Sequence, residues 1–471
     1  MVTVLGHCRV APPPGTVAEQ SLPLIFFDLP LLNFPPVQHL LFYKSPQPKT
    51  YFLETLVPNL KDSLSLVLKH FFPLAGNLII NSNSIRPEIC YMDGDSVSLT
   101  FAESSNDFNY LTGNYARNAE EFYPFVPQMP QVTRVSDTVV APLLALQVTL
   151  FPNFGTCLGI TFHHVAADAN SFIRFLKSWA SIAKLGGDEG FLVDGSLPFY
   201  ARTVREDPNG LETSLWSKVR EIKLEEGQLQ YPLKNKVRAT FVMSQTHVQW
   251  LKKMVSTQRP KLLHVSTFTV TCAYVWVCMV KSRAAGADEL TDGDELEYFL
   301  CVADCRARFE PPIPETYFGN CLTDCFVTTK NIQLVGEEGF LTAAELIGEA
   351  IRKRAKNEAE VLKDMEAFFM RLRETKWERV VAVSGTPKLS FYGLDFGWGR
   401  PIKSEIISID STGAFSLGEC RDSELEIGIT YYHVAADANT LIRFLKLWAS
   451  IAKLGGGRLP MVGPSRFMAG L

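Results

Sequence analysis

One strand-to-helix unit occurs twice in this chain, and that repetition limits what it can fold into. The apolar run Cys157 to Phe162 passes through Thr161-Phe162-His163-His164-Val165-Ala166-Ala167-Asp168-Ala169. Beyond it, Phe172, Phe175, Leu176, Trp179 and Ile182 form one apolar stripe at helical spacing, and Gly186 and Gly187 supply the stop. Residues Gly159 to Gly187 return at Gly428 to Gly456; of 29 paired positions five differ, so 24 are identical. Phe162 and His163 become Tyr431 and Tyr432, while Ser171, Phe172 and Ser178 become Thr440, Leu441 and Leu447. An amphipathic helix needs a surface to cover. The chain therefore holds either two equivalent sites or one site and one copy.

The residue types at the end of the strand suggest chemistry. A histidine held there can take a proton from a bound nucleophile, and an aspartate four positions on can fix the loop that carries it. Each also has a plainer role: Asp168 stands where a helix N-cap belongs, and histidines often fill cores. A second motif raises the stakes. Asp395-Phe396-Gly397-Trp398-Gly399 lies far downstream, between strand-like Lys388 to Phe391 and Ile402 to Ile409. Two glycines around a tryptophan suit a tight turn with close backbone approach. Neither an H-R-D loop nor a Gly-rich loop precedes this Asp-Phe-Gly, so it is not a kinase element, and no Gly-x-Ser-x-Gly elbow indicates a serine acyl-enzyme.

Length and composition bound the rest. At 471 residues the chain exceeds one ordinary domain, and 46% hydrophobic against 20% charged residues describes a globular protein. A net charge of −4 with no Lys/Arg block argues against nucleic acid as a partner. The start, Met1 to Pro14, lacks the pattern of a secretory signal, and Val265 to Val280 is shorter than the ~20 residues of a membrane span. The ten cysteines then read as reduced, buried thiols of a cytoplasmic, membrane-free protein. Cys301-x3-Cys305 and Cys321-x3-Cys325 have zinc-like spacing but flank strand-like segments, so no metal is expected.

Segment by segment, mixed α/β structure is predicted. Leu31 to Tyr43 reads as an early strand and Leu53 to His70 as a helix. Val139 to Leu150 and Cys157 to Phe162 read as paired buried strands joined by a Pro-Asn-Phe-Gly turn. Asp188 to Glu212 is rich in Gly, Pro and charge and is the candidate linker. After it come a strand, Lys236 to Val242, a helix, and the buried segment Ser266 to Val280.

The two motifs together, in this order and at this separation, resemble the plant BAHD acyltransferases. They stand here as His164-Val165-Ala166-Ala167-Asp168 and Asp395 to Gly399. The resemblance extends through Phe71 to Gly76 and Tyr317-Phe318-Gly319-Asn320-Cys321, covering roughly residues 5 to 430. Ser21 to Asp28 and Ser266 to Tyr274 are similar to the clade that transfers malonyl groups to anthocyanins and phenolic glucosides.

This resemblance implies a two-lobed, CoA-dependent acyltransferase fold of the chloramphenicol acetyltransferase type, with mixed sheets and a channel between lobes. The expected parts are an N-terminal lobe over 1–190, a crossover linker over 191–212 and a C-terminal lobe over 213–471, with 395–420 packing against the N-terminal lobe. Acyl-CoA, malonyl-CoA by preference, is implied as co-substrate with no bound cofactor, and a phenolic glycoside as acceptor, in a monomer. His164 is implied as general base. Asp168 is implied to turn away and pair with an arginine, matched here by Arg306. Asp395, Phe396, Gly397, Trp398 and Gly399 are implied as scaffold near the CoA channel, with Arg308 a candidate partner for Asp395. His163 is expected to pack locally, and Arg174 to lie on a solvated helix face unless it meets a malonyl carboxylate.

The second copy lacks this supporting cast. No second Arg306 accompanies His433 and Asp437, and nothing before Gly428 repeats the strands before Gly159. The block 428–456 thus reads as a recent local duplication or a mis-joined gene model, its histidine not catalytic. Its strand, Leu425 to Tyr431, is still expected to pair in the second half. Two other functions stay open on the residues: a BAHD enzyme with another donor or acceptor, and a relative impaired by its altered C-terminus.

Overall fold

The structure, a computed structural model, describes residues 1–81, 84, 86–187, 197–202, 210–220, 234–262, 265–284, 293–354, 356–362, 365, 371, 375–420 and 424–432. The repeat beyond Tyr432, with His433 and Asp437, lies outside the described residues, as does most of the expected linker.

Runs of apolar residues without alternation make strands that must be covered on both faces. Leu144–Phe151 and Gly155–Phe162 are such runs, buried at every position, and they pair antiparallel with Leu144 opposite Phe162. They sit at the centre of a six-stranded sheet ordered Val2–Val10, Val97–Ser104, Leu144–Phe151, Gly155–Phe162, Val37–Tyr43, Pro401–Ile406. One face carries the helices Val57–His70 and Ala169–Leu185, which join the largest core cluster and are tied by Trp179 Nε1 donating to Ser63 Oγ at 3.1 Å. On the other face Phe42 of the strand Val37–Tyr43 meets Phe122 and Phe125. Gly159 is required there, since a side chain at that position would collide with the Phe125 carbonyl.

A second, seven-stranded sheet runs Leu322–Lys330, Leu296–Asp304, Val380–Ser384, Phe415–Glu419, Leu425–Tyr432, Lys236–Met243, Arg117–Asn118. The helices Gln245–Gln258, Thr267–Ala284 and Gly339–Arg354 contribute to its core. Thr267–Ala284 takes in most of the segment Ser266 to Val280 that was expected to be buried. It is buried on all sides, from Val270 and Cys272 to Trp276 and Val280, so no polar stripe marks it as a helix. Among the described residues no helix is long and apolar enough to cross a membrane. A smaller five-stranded sheet holds Gln20–Pro23, Glu88–Tyr91, Asn77–Asn81, Thr138–Pro142 and Thr133–Val135.

Prolines account for two departures from the expected strands. The run Val139 to Leu150 is cut at Pro142, so that Thr138–Pro142 belongs to the small sheet and Leu144–Phe151 to the central one. Leu31 to Tyr43 becomes a short 3₁₀ turn, Leu29–Leu31, and then the strand Val37–Tyr43, with Pro35 and Pro36 between them. Lys388 to Phe391 is no strand: it leads into the 3₁₀ turn Phe391–Gly393. The expected pairing of Leu425 to Tyr431 is present, between Phe415–Glu419 and Lys236–Met243.

Each half lends the other a strand. Pro401–Ile406 pairs with Val37–Tyr43 in the first sheet, and Arg117–Asn118 pairs with Lys236–Met243 in the second. Charges are buried where these strands cross. Glu405 meets Arg117 at 2.7 Å and Arg238 at 2.9 Å; Arg238 reaches Asp410 at 2.5 Å, and Lys403 lies 3.4 Å from Glu426. Thr430 Oγ1, on the strand that opens the repeat, donates to Asp410 at 2.6 Å. Burial works to raise the Glu405 pKa, but Arg117, Arg238 and Lys403 outweigh it and hold the carboxyl at about 2.

Glu405→Gln should therefore cost about 3–5 kcal/mol at neutral pH, because two buried guanidinium groups lose their shared counter-charge. A depressed carboxylate pKa contributes stability above its ordinary value of about 4.3 and loses it as pH falls toward the folded value. The wild-type advantage over Glu405→Gln, read as apparent Tm at fixed scan rate, should shrink between about pH 5 and pH 2. An advantage independent of pH across that window would show that the cluster is held by packing rather than by charge.

Candidate active site

The loop that joins the central strand to the helix Ala169–Leu185 is fixed at both ends. His163 N donates to Leu143 O at 2.9 Å, and Ala166 N donates to His163 O at 3.0 Å. At the other end Asp168 is 1% exposed and satisfies several donors at once. Its Oδ1 accepts from Ser171 N at 2.9 Å, the N-cap bond that starts the helix. Its Oδ2 accepts from Cys321 N at 3.1 Å and lies 2.7 Å from Arg306 Nη2. Capping and ion pairing are thus two uses of one carboxylate, and Asp168 turns away from His164 to serve both.

Arg306 comes from the turn after Leu296–Asp304 in the second sheet. Burial disfavours its charge, yet Asp168 and Asp304 more than offset this and raise its pKa above the ordinary arginine value. The guanidinium also reaches Ser171 Oγ at 3.2 Å. Ser171 Oγ contacts Gly319 O at 2.9 Å, while Asp168 N donates to Gly319 O at 3.2 Å. Segment Tyr317 to Cys321 is thereby sewn to the histidine loop.

His163 and His164 are both half-buried. Burial lowers the His164 pKa, opposed by its own carbonyl, by Asp168 and by Asn320. Burial, and then the neighbouring His164, bring His163 to about 4. Both rings are neutral at pH 7, and a neutral imidazole can accept a proton. The ring of His164 stands 6.3 Å from that of Phe162, which stacks on Phe172 at 3.9 Å. Arg174 lies half-buried on the same helix.

The Asp395 motif is elsewhere. Asp395 Oδ1 accepts from Gly397 N at 2.9 Å and Gly399 N at 3.0 Å, and its Oδ2 lies 2.6 Å from Lys184 Nζ. Lys184, not Arg308, is its charged partner. Partial burial pushes the Asp395 carboxyl up, but Lys184 and the two backbone donors bring it below the ordinary value. Phe396 packs its ring 4.9 Å from Trp179, and Trp398 lies 5.2 Å from Tyr43. Gly397 and Gly399 have φ of 93° and 88°, which only glycine adopts without strain. Lys184 is near the C-terminal end of the 17-residue helix that Asp168 begins. At 1.5 Å per residue that end is about 24 Å from Asp168, so the motif anchors the helix and is remote from His164.

Three residues at the site went unassigned in the sequence: Asp28, Asn320 and Ser171. Asn320 is fully buried; its Nδ2 donates to Asp28 Oδ1 at 3.0 Å and to the carbonyls of His164 and Val165 at 3.1 Å each. Asp28, also fully buried, accepts from Ile25 N at 3.1 Å and faces Arg202 at 3.5 Å. Both residues stood in segments that carried the resemblance, but neither has a sequence neighbour that reveals its partner. The cysteine pairs pack between strands: Cys301 opposes Cys325, and Cys305 Sγ lies 3.4 Å from Cys321 Sγ. Among the described residues no group of three or more His, Cys, Asp or Glu is arranged to hold a metal.

A loop histidine whose aspartate is spent on an arginine, in a pair of sheets that exchange strands, defines a two-lobed acyltransferase. The chain belongs to the Transferase family, whose model matches residues 1–424; these are the BAHD acyltransferases. It is 46% identical over 420 residues to phenolic glucoside malonyltransferase 1 of Nicotiana tabacum, covering 88% of this chain and 92% of that one. It is 44% identical over 443 residues to the malonyl-coenzyme A:anthocyanin 3-O-glucoside-6''-O-malonyltransferase of Dahlia pinnata, covering 93% and 95%. The crystal structure of vinorine synthase shares the fold with a TM-score of 0.69 at 21% identity, covering 95% of this chain and 98% of that one. That of F. graminearum TRI101 with ethyl coenzyme A does so at 0.64 and 14%, covering 90% and 97%.

Asp168→Ala should lower stability by about 3 kcal/mol, the lower end of the range for breaking a buried pair, because Asp304 keeps part of the Arg306 charge matched. His164→Ala removes a half-buried ring with no buried ion pair and should stay within about 1 kcal/mol of wild type. Thermal unfolding of the two variants side by side checks the division; equal losses would contradict it.

Proposed function

We propose that this protein transfers a malonyl group from malonyl-CoA to a sugar hydroxyl of a glycosylated phenolic, with His164 as general base and no covalent acyl-enzyme. The observation that carries the assignment is a neutral His164 whose neighbouring carboxylate, Asp168, is already committed to Arg306, Ser171 and Cys321. Such an imidazole can accept a proton without being a permanent imidazolium. As the sugar oxygen attacks the thioester carbonyl, its proton passes to His164, and a tetrahedral intermediate forms. Collapse expels the CoA thiolate, which takes the proton back from His164 and leaves as thiol; the malonyl ester is the other product. General-base help of this kind is worth about 10²–10⁴-fold, and holding both substrates at one histidine supplies much of the remainder.

Malonyl is favoured as the acyl group because the relatives at 46%, 44% and 40% identity are all named malonyltransferases, while at 34–36% both malonyltransferases and coumaroyltransferases of Arabidopsis thaliana occur. His433 is proposed to be non-catalytic. Arg306 and Asn320 are each engaged with the first copy and cannot serve a second. A cytoplasmic monomer with lobes over 1–190 and 213–471 completes the proposal.

Release of free thiol from malonyl-CoA, dependent on a flavonoid glucoside, is the expected activity. His164→Ala should reduce it about 10²–10⁴-fold while His433→Ala leaves it unchanged. Retained turnover in His164→Ala would end the assignment, and release only with coumaroyl-CoA would change the donor. Because burial lowers the His164 pKa, the base stays neutral to a lower pH, and the acid limb of kcat/KM should fall below the ordinary imidazole value of about 6.5.

A further inference from the structure

We infer that Arg202 is a positioning residue for His164, acting through a relay of contacts. Arg202 holds Asp28, Asp28 holds Asn320, and Asn320 holds the carbonyls of His164 and Val165. The inference rests on His164 being the base, and it makes the end of the expected linker a part of the site.

Residues 197–202 are described within that linker, and their backbone is docked. Phe199 N donates to Thr316 O and Phe318 N donates to Phe199 O, both at 2.9 Å, so this stretch lies as a parallel bridge beside Tyr317. Tyr200 Oη donates to His70 O at 2.5 Å. Arg202 is thereby buried against the segment Tyr317 to Cys321. Its Nη1 donates to Tyr317 Oη at 2.8 Å and lies 3.5 Å from Asp28 Oδ2. The approach is close, since a side chain at Gly319 would stand 2.4 Å from Arg202 Nη1. Nε and Nη2 are without hydrogen-bond partners, so Nη1 makes the polar contacts.

Asp28 is fully buried and accepts from Ile25 N at 3.1 Å, from Asn320 N at 3.2 Å and from Asn320 Nδ2 at 3.0 Å. A carboxylate so far from water needs a counter-charge. Among the described residues Arg202 is the cation that faces it; Tyr317 and Asn320 face it from the neighbouring segment, and the Ile25 amide from its own turn. Burial raises the Tyr317 and Tyr200 phenols, so neither adds a charge, and a neutral His164 lies beyond Asn320. Burial also raises the Asp28 pKa, and Arg202 is the strongest opposing influence. Without that guanidinium, Asp28 takes up a proton at a higher pH. A protonated carboxyl is a weaker acceptor for the two Asn320 donors. The Asn320 amide then loses what keeps Nδ2 on His164 O and Val165 O, each 3.1 Å away. This grip is separate from that of Asp168 and Arg306, which fix the loop at its other end.

Steady-state kinetics across pH test the relay. Arg202→Met keeps the stem and removes the charge; kcat should fall about 10- to 100-fold, the scale of a misplaced catalytic group. Both KM values should stay within about twofold. The acid limb of kcat should move to higher pH, because the charged form of Asp28 is reached only there. Since one nitrogen makes the contacts, a lysine ammonium can stand in for it, and Arg202→Lys should restore kcat to within about threefold of wild type. An unmoved limb in Arg202→Met, or no restoration by Arg202→Lys, overturns the relay. If Arg202→Met does not fold, Arg202→Met with Asp28→Leu carries the test, because it strands no buried charge. That pair should keep the low kcat with its acid limb at the wild-type position; wild-type kcat overturns the relay. Turnover retained by His164→Ala sinks the base assignment instead.

Discussion

The pairing of Asp168 with Arg306 joins the histidine loop beside the first sheet to a turn that follows a strand of the second, and much of the candidate site follows from it. A carboxylate beside a histidine would ordinarily invite comparison with hydrolase triads, in which the acid orients the base. Here the same atoms do something different. The carboxylate caps a helix, neutralises a buried guanidinium and receives the Cys321 amide. His164 is left beside an anion that does not touch it, and burial, which outweighs that anion, lowers its pKa and favours the uncharged ring. Burial of both partners makes breaking the pair costly, since neither charge has water to turn to and Asp304 matches only part of the Arg306 charge.

The second set of buried charges does comparable work where strands are exchanged. Arg117, Arg238, Glu405 and Asp410 come from segments far apart in the chain and meet in the interior. An apolar contact would hold the lobes together at many relative angles. Ion pairs with fixed donor geometry select one angle, and with it the relation between the Tyr317–Cys321 segment and the histidine loop. The strand that begins the repeat takes part through Thr430, which helps explain why the chain keeps the copy's first residues in its sheet.

Legibility in the sequence followed the range of each interaction. The histidine strand and its helix were readable because their signals are local: an unbroken apolar run, a capping aspartate, a periodic stripe and two stop glycines. Arg306 was reachable only through resemblance, since 138 positions separate it from Asp168 and nothing near either names the other. The partner of Asp395 was misjudged for the same reason; Lys184 is 211 residues away, and Arg308 merely looked available. Ser266 to Val280 was read only as a buried segment because burial at every position from Thr269 to Cys278 erases periodicity, and the break at Pro142 fell inside what seemed one strand. Asn320 and Asp28 illustrate the remaining limit. Buried polar residues announce their type in a sequence but not the direction in which their atoms point.

Anchoring at both ends gives the helix Ala169–Leu185 a property its amphipathic pattern does not convey: its length is a calibrated quantity. Asp168 fixes one end to Arg306, and Lys184 fixes the other to the Asp395 turn. Each residue contributes about 1.5 Å and about 100° of rotation. Losing or adding one would swing Lys184 around the axis and pull Phe396 away from Trp179. The helix can therefore change its letters far more readily than its count. The copy at Gly428 to Gly456 keeps that count and 24 of the 29 letters.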